Sequence, residues 1–211
     1  MLLRPEKADT VIGSTETPEY AERLRAQRHV WWKRILPVQL PYRINVRRQR
    51  LGRTLDLGCG IGRNLSALSP GSLGVDHNPH SVELARRAGL RAMTDGEFLA
   101  SDEARPASFD GLLVAHVLEH MDADLGRKLL QTYLPYLRPG GAVFIICPQE
   151  AGYHTDPTHV QFTTSEDIER ICRSVGLTPR RSYSFPFPRR LGRVFAYNEF
   201  CVRATLDVAP G

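Results

Sequence analysis

From Arg53 onward, short apolar runs alternate with stretches whose apolar residues recur at helical spacing. Runs at 54–57, 72–76, 91–94, 109–115 and 142–148 are short, rich in Leu, Val, Ile and Phe, and bounded by turn residues, which predicts strands. Between them, 63–68, 79–88 and 122–137 predict helices, and 97–102 a short helical turn. A further helix is expected over 165–175, capped by Ser165 or Thr164 and stopped by Gly176. Two more strands follow at 177–184 and 194–206, joined by FPFPRRLGR. Strand and helix taking turns is the pattern of β-α-β units around a parallel sheet.

The first 52 residues read differently. Residues 1–17 show no apolar period and predict a loose arm, whereas Tyr20, Leu24, Arg28 and Trp31 to Ile35 suit an amphipathic helix ending before Pro37, with Pro41 ending anything longer. The chain thus divides into an N-terminal arm and helical lid, 1–52, and a domain, 53–211. Ten basic residues between Arg23 and Arg53 face only Glu19 and Glu22, so much of the formal charge of +5 lies there. No apolar run is long enough to span a bilayer, and MLLRPEKADT lacks the apolar core of a secretory signal. Cys59, Cys147, Cys172 and Cys201 are scattered, without a CxxC pair, as expected of free thiols in a reducing compartment. A cytoplasmic protein, monomer or homodimer, is the expectation.

The first candidate chemistry is TLDLGCGIGR, in which Gly58, Gly60 and Gly62 fall between a strand and a helix. Such a turn lets the backbone approach a ligand at the carboxyl ends of the strands. The spacing matches neither the dinucleotide fingerprint nor the phosphate loop. Asp56 ahead of the glycines suits a ligand ammonium better than a pyrophosphate, and Asp76 at the end of the second strand is placed for ribose hydroxyls. Adenosine joined to an amino acid fits both.

On these residues the chain resembles the class I, Rossmann-like S-adenosylmethionine-dependent methyltransferases over 53 to about 175. TLDLGCGIGRNL is similar to the family's first motif, GVDHNPHSVELAR to its ribose-binding strand, SFDGLLVAHVLEHM to its fourth strand and LRPGGAVFIICP to its fifth. The resemblance implies an α/β fold: a seven-stranded mixed sheet, last strand antiparallel, helices on both faces and the N-terminal lid. It implies that Asp56, Gly58, Cys59, Gly60 and Gly62 form the cofactor loop, that Asp76 and His77 take the ribose, that Asp95 and Gly96 meet the adenine, and that His116 flanks the sulfonium.

His116, Glu119 and His120 form H-x-x-E-H, whose offsets of three and four share a helical face. A second cluster, from Tyr153 to Thr163, falls in the loop after the fifth strand. Together they resemble the metal site of small-RNA 2′-O-methyltransferases, with His116 standing where those carry Glu. By that resemblance His116, Glu119, His120 and His159 would hold a divalent cation, Mg2+ or Mn2+. His154 or Asp156 would then take the acceptor's proton; without a metal, His116, His154 or His159 would act as the base.

Three acceptor readings follow. The first, preferred, is O-methylation of a sugar, polysaccharide precursor or similar small molecule, with residues 183–195 as one wall of the cleft and Trp31, Trp32 and the basic helix as its lid. The second is RNA methylation, for which the basic segment argues. The third is a non-catalytic binding module on the same fold.

Overall fold

The computed structural model describes residues 39–207; the expected arm and helix over 1–35 lie outside them. Seven strands form one sheet in the order β3-β2-β1-β4-β5-β7-β6. The strands are β1 (Thr54–Leu57), β2 (Leu73–Asp76), β3 (Ala92–Thr94), β4 (Phe109–Ala115), β5 (Leu137–Pro148), β6 (Leu177–Phe185) and β7 (Glu199–Leu206). The first five run parallel, and β7 is antiparallel to both β5 and β6, as expected. The sheet therefore gathers the ends of β1 to β6 and the start of β7 along one edge.

Alternation along the central strands sorts the core into two layers. Leu112 and Val114 of β4 join Val143 and Ile145 of β5 on one face. Leu113 and Ala115 join Ala142, Phe144 and Ile146 on the other. Both strands are apolar on both sides because helices cover both faces.

Among the described residues the helices are α1 (Leu40–Arg48), α2 (Pro79–Arg87), α3 (Asp95–Leu99), α4 (Ala123–Tyr133), α5 (Glu150–Tyr153) and α6 (Ser165–Ser174). Helix α1 was not anticipated. Pro41 opens it rather than barring it, since a first-turn residue has no intrahelical partner for the N–H that proline lacks. Val46 and Leu51 pack into the second layer, and Tyr183 Oη, 2.7 Å from Asn45 Oδ1 and 2.9 Å from Gln49 Nε2, ties α1 to β6. Residues 40–52 are thus built into the body that the sequence began at Arg53.

The expected helix at 63–68 reduces to one 3-10 turn, Leu65–Ala67. The one expected over 122–137 ends at Tyr133, because Pro135 cannot extend it and a 3-10 turn, Leu134–Tyr136, leads into β5. The last strand begins at Glu199 rather than Val194. Before it, a 3-10 turn over Arg189–Arg193 and the Asn198 side chain, which accepts from Phe187 N, satisfy the connection locally.

Candidate active site

A cleft of about 540 Å³ opens at the carboxyl edge, where the chain passes from β1 to β2 on one side and β4 lies on the other. Gly58, Cys59 and Gly60 line its floor, Asp76 and His77 one wall, Asp95 and Tyr133 the far end, and His116 and His120 the near end. Asp56, Gly62 and Gly96 are not among its lining residues.

The glycine loop follows from its backbone. Gly58 and Gly62 have φ of +65° and +79°, where side chains are strained. A Cβ would fall 2.4 Å from Val117 Cγ2 at Gly58 and 2.2 Å from Leu90 Cδ1 at Gly62. Packing against the protein, as much as room for a ligand, demands glycine here. Asp76 fixes the turn: Oδ2 accepts from Gly60 N at 2.7 Å and Oδ1 from Asn78 N at 2.9 Å. Burial raises its carboxyl against the pull of those hydrogen bonds.

Asp56 is buried behind the loop, and its Oδ2 accepts no hydrogen bond among the described residues. Burial first, then the charge of Asp76, pushes its carboxyl up to about 8. A cation brought alongside would reverse that shift, so an orphaned acid here fits a ligand ammonium. At the far end Tyr133 Oη donates to Asp95 Oδ1, and Thr94 and Glu97 form a capping box that starts α3 at Asp95.

The near end holds the histidines. His116 has φ +60° and a side chain 43 % exposed. Its Nε2 lies 2.9 Å from Glu199 Oε1 and its Nδ1 3.2 Å from Glu119 Oε1. Desolvation lowers its pKa, but the two carboxylates outweigh that and raise it to about 10. Its ring nitrogens are not among the donor atoms that gather at Glu119, His120 and His159, so His116 stands beside that cluster rather than within it.

Glu119 is fully buried; its Oε1 is ion-paired with the His116 ring, and its Oε2 has no hydrogen-bond partner among the described residues. Its backbone carbonyl accepts from Val160 N at 2.8 Å and Gln161 N at 3.2 Å, pulling the loop after β5 onto the turn Leu118–His120. His159 thereby comes beside His120, ring centroids 4.8 Å apart. Donor atoms of Glu119, His120 and His159 lie within 4.8 Å of one another. His159 Nδ1 is 2.6 Å from Tyr153 O and His120 Nδ1 is 3.2 Å from Thr158 O. A ring nitrogen facing a carbonyl must carry the proton, which leaves Nε2 of each ring as the ligand atom. Two imidazoles with fixed tautomers and a carboxylate with one unpartnered oxygen fit a divalent ion, and His120 also borders the cleft.

His154 and Asp156 are not brought to the cleft lining. His154 is exposed, edge-on to Tyr153 at 5.5 Å. Asp156 Oδ1 accepts from Thr158 N and Oγ1, a turn ahead of Pro157. Two contributors went unforeseen. Glu199 carried a signal, as an acid ahead of the apolar run FCV; Tyr133 carried none, falling among leucines at core spacing.

Glycine turn, carboxylate wall and switch-point cleft define an enzyme built around a nucleoside cofactor. A family model described as a methyltransferase domain matches residues 24–181, and the chain belongs to that family as an S-adenosylmethionine-dependent methyltransferase. Magnesium protoporphyrin IX methyltransferase from Synechocystis PCC 6803, with S-adenosylhomocysteine bound, aligns at TM-score 0.67 and 15% identity, covering 93% of this chain and 99% of that one. The Burkholderia thailandensis 1,6-didemethyltoxoflavin-N1-methyltransferase aligns at 0.62 and 22%, covering 99% and 92%. A methyltransferase from Archaeoglobus fulgidus aligns at 0.57 and 17%, covering 81% and 98%. No curated protein matches the chain.

Proposed function

We propose that the protein methylates a hydroxyl oxygen of a sugar, polysaccharide precursor or similar polyol, assisted by a divalent ion on Glu119, His120 and His159. The observation that carries this reading is the donor set itself, a buried carboxylate beside two half-buried imidazoles, with both tautomers fixed and one member bordering the cleft. A hydroxyl is a poor nucleophile until its proton leaves, and a bound divalent ion lowers its pKa and fixes the line of attack. Two imidazoles to one carboxylate favour Mn2+ over Mg2+, which prefers oxygen.

In this reading Gly58 and Gly60 cradle S-adenosylmethionine, Asp76 takes the ribose hydroxyls, Asp95 the adenine amino group, and Asp56 attracts the ammonium from behind the loop. Leu57, Ala115 and Val117 present apolar surface to the cleft and keep water from the reacting atoms. Tyr153 stacks on His159 at 5.2 Å and holds the ring in place.

The test is titration with S-adenosylhomocysteine before and after EDTA and with added Mn2+ or Mg2+, beside metal analysis and assay on methyl glycosides with vicinal diols. One equivalent of ion, lost in His159→Ala, with methyl transfer to a glycoside oxygen, is the expected result. Nucleotide binding with no stoichiometric ion would remove the metal. Transfer only to RNA, steeply weakened by salt, would replace the acceptor.

A further inference from the structure

Seven large apolar side chains stand exposed among the described residues, and four of them, Phe187, Leu191, Val194 and Tyr197, occupy the single connection between β6 and β7. Isolated exposed apolar residues need no explanation, but four within eleven positions make a patch. Val194 is 79 % exposed, so it projects rather than lines a groove.

The connection is held firmly. Asn198 Nδ2 donates to Gln149 Oε1 at 2.9 Å and to Phe187 O at 3.2 Å, and Phe187 N returns a bond to Asn198 Oδ1 at 2.9 Å. Gly192 lies so close to Gln149 that a Cβ would fall 1.8 Å from its Oε1. Phe187, Phe195 and Tyr197 pack edge to face along the loop, at 5.1 and 5.7 Å. Tyr42 Oη donates to Tyr197 O from helix α1. The apolar tips are therefore presented by a fixed backbone.

Charge points to the occupant. Arg189 is committed inward, to Glu150 at 2.7 Å and over the ring of Phe200 at 4.7 Å. Arg190 and Arg193, both exposed, make no ion pair among the described residues. Projecting aliphatic and aromatic tips interspersed along the loop with Arg190 and Arg193 match a surface that offers hydrocarbon beneath negative headgroups and requires no complementary shape. Nucleic acid would answer the arginines and aromatic faces, but not Leu191 and Val194.

We propose that residues 186–198 dock this protein onto the surface of an anionic bilayer. The loop shares the sheet edge of the cleft, since Glu199, where β7 starts, bonds His116. As a corollary resting on the proposed function, the acceptor hydroxyl would be carried at the bilayer surface.

The test is co-sedimentation of the full chain with vesicles of phosphatidylcholine alone and of phosphatidylcholine mixed with phosphatidylglycerol. Partition onto the mixed vesicles alone is expected. It should fall about tenfold or more in Val194→Asp, and by more than about tenfold in Arg190→Gln/Arg193→Gln. Both variants should keep the wild-type melting temperature and affinity for S-adenosylhomocysteine, which separates lost docking from lost folding. Failure of the wild type to partition would overturn the proposal. So would undiminished partition of Val194→Asp, which would move the attraction to charge elsewhere. Neither result depends on the metal or on acceptor chemistry.

Discussion

Asp56 offers a test of how the cofactor loop is supported. Its folded pKa, about 8, lies above the value near 3.9 of an unfolded aspartate. Between those values the folded chain holds a proton that the unfolded chain has released. Its contribution to stability is therefore full below about pH 4 and declines as pH rises toward 8. The decline approaches roughly 1.4 kcal/mol per pH unit, or on the order of 3 kcal/mol between about pH 5 and 7. Asp56→Asn keeps the shape and removes the titration, so urea denaturation of both proteins across that range isolates the effect from every group they share. Wild type should lose ground against the variant as pH rises. S-adenosylhomocysteine, with its ammonium, should shrink the slope by favouring the ionised acid. Parallel stability curves for the two proteins would refute the reasoning.

Two further substitutions probe the same cleft. Gly62→Ala places a Cβ 2.2 Å from Leu90 Cδ1 at φ +79°, so thermal melting should show a loss of about 1–3 kcal/mol. Tyr133→Phe removes the donor that holds Asp95, and calorimetry should show S-adenosylhomocysteine binding weakened about three- to tenfold with little change in melting temperature.

What the sequence made legible was local. The central strands announced themselves because β4 and β5 are buried on both faces and so read as unbroken apolar runs. The glycine loop and Asp76 were legible because positive φ and a strand-end acid leave marks within a few residues. The histidine site was half legible: Glu119 and His120 share the turn Leu118–His120, with His116 just ahead of it at positive φ, but nothing local shows that Glu199, more than eighty residues on, competes for His116. Helix α1 was missed for a related reason. Its mean hydropathy is low, and it is held by Asn45, Gln49 and Tyr183 across the sheet rather than by an apolar stripe.

The arrangement around His116 gives that residue a purpose distinct from ligation. Glu119 is a buried carboxylate, and a charge of that kind left uncompensated would neutralise by taking a proton. Burial raises its pKa, yet His116 overrides burial and holds it below the ordinary carboxylate range. His116 is held in turn by Glu199, so its charge does not depend on Glu119 alone. His116, set between two acids, favours the ionised form of Glu119 while Oε2 keeps no hydrogen-bond partner among the described residues. A glutamate at position 116 would add a third acid to the cluster and remove that support. The histidine there, standing where the metal-dependent relatives it resembles carry Glu, is thus matched by the unforeseen Glu199 on β7, whose opposite charge balances it in a way that spacing along the chain could not express.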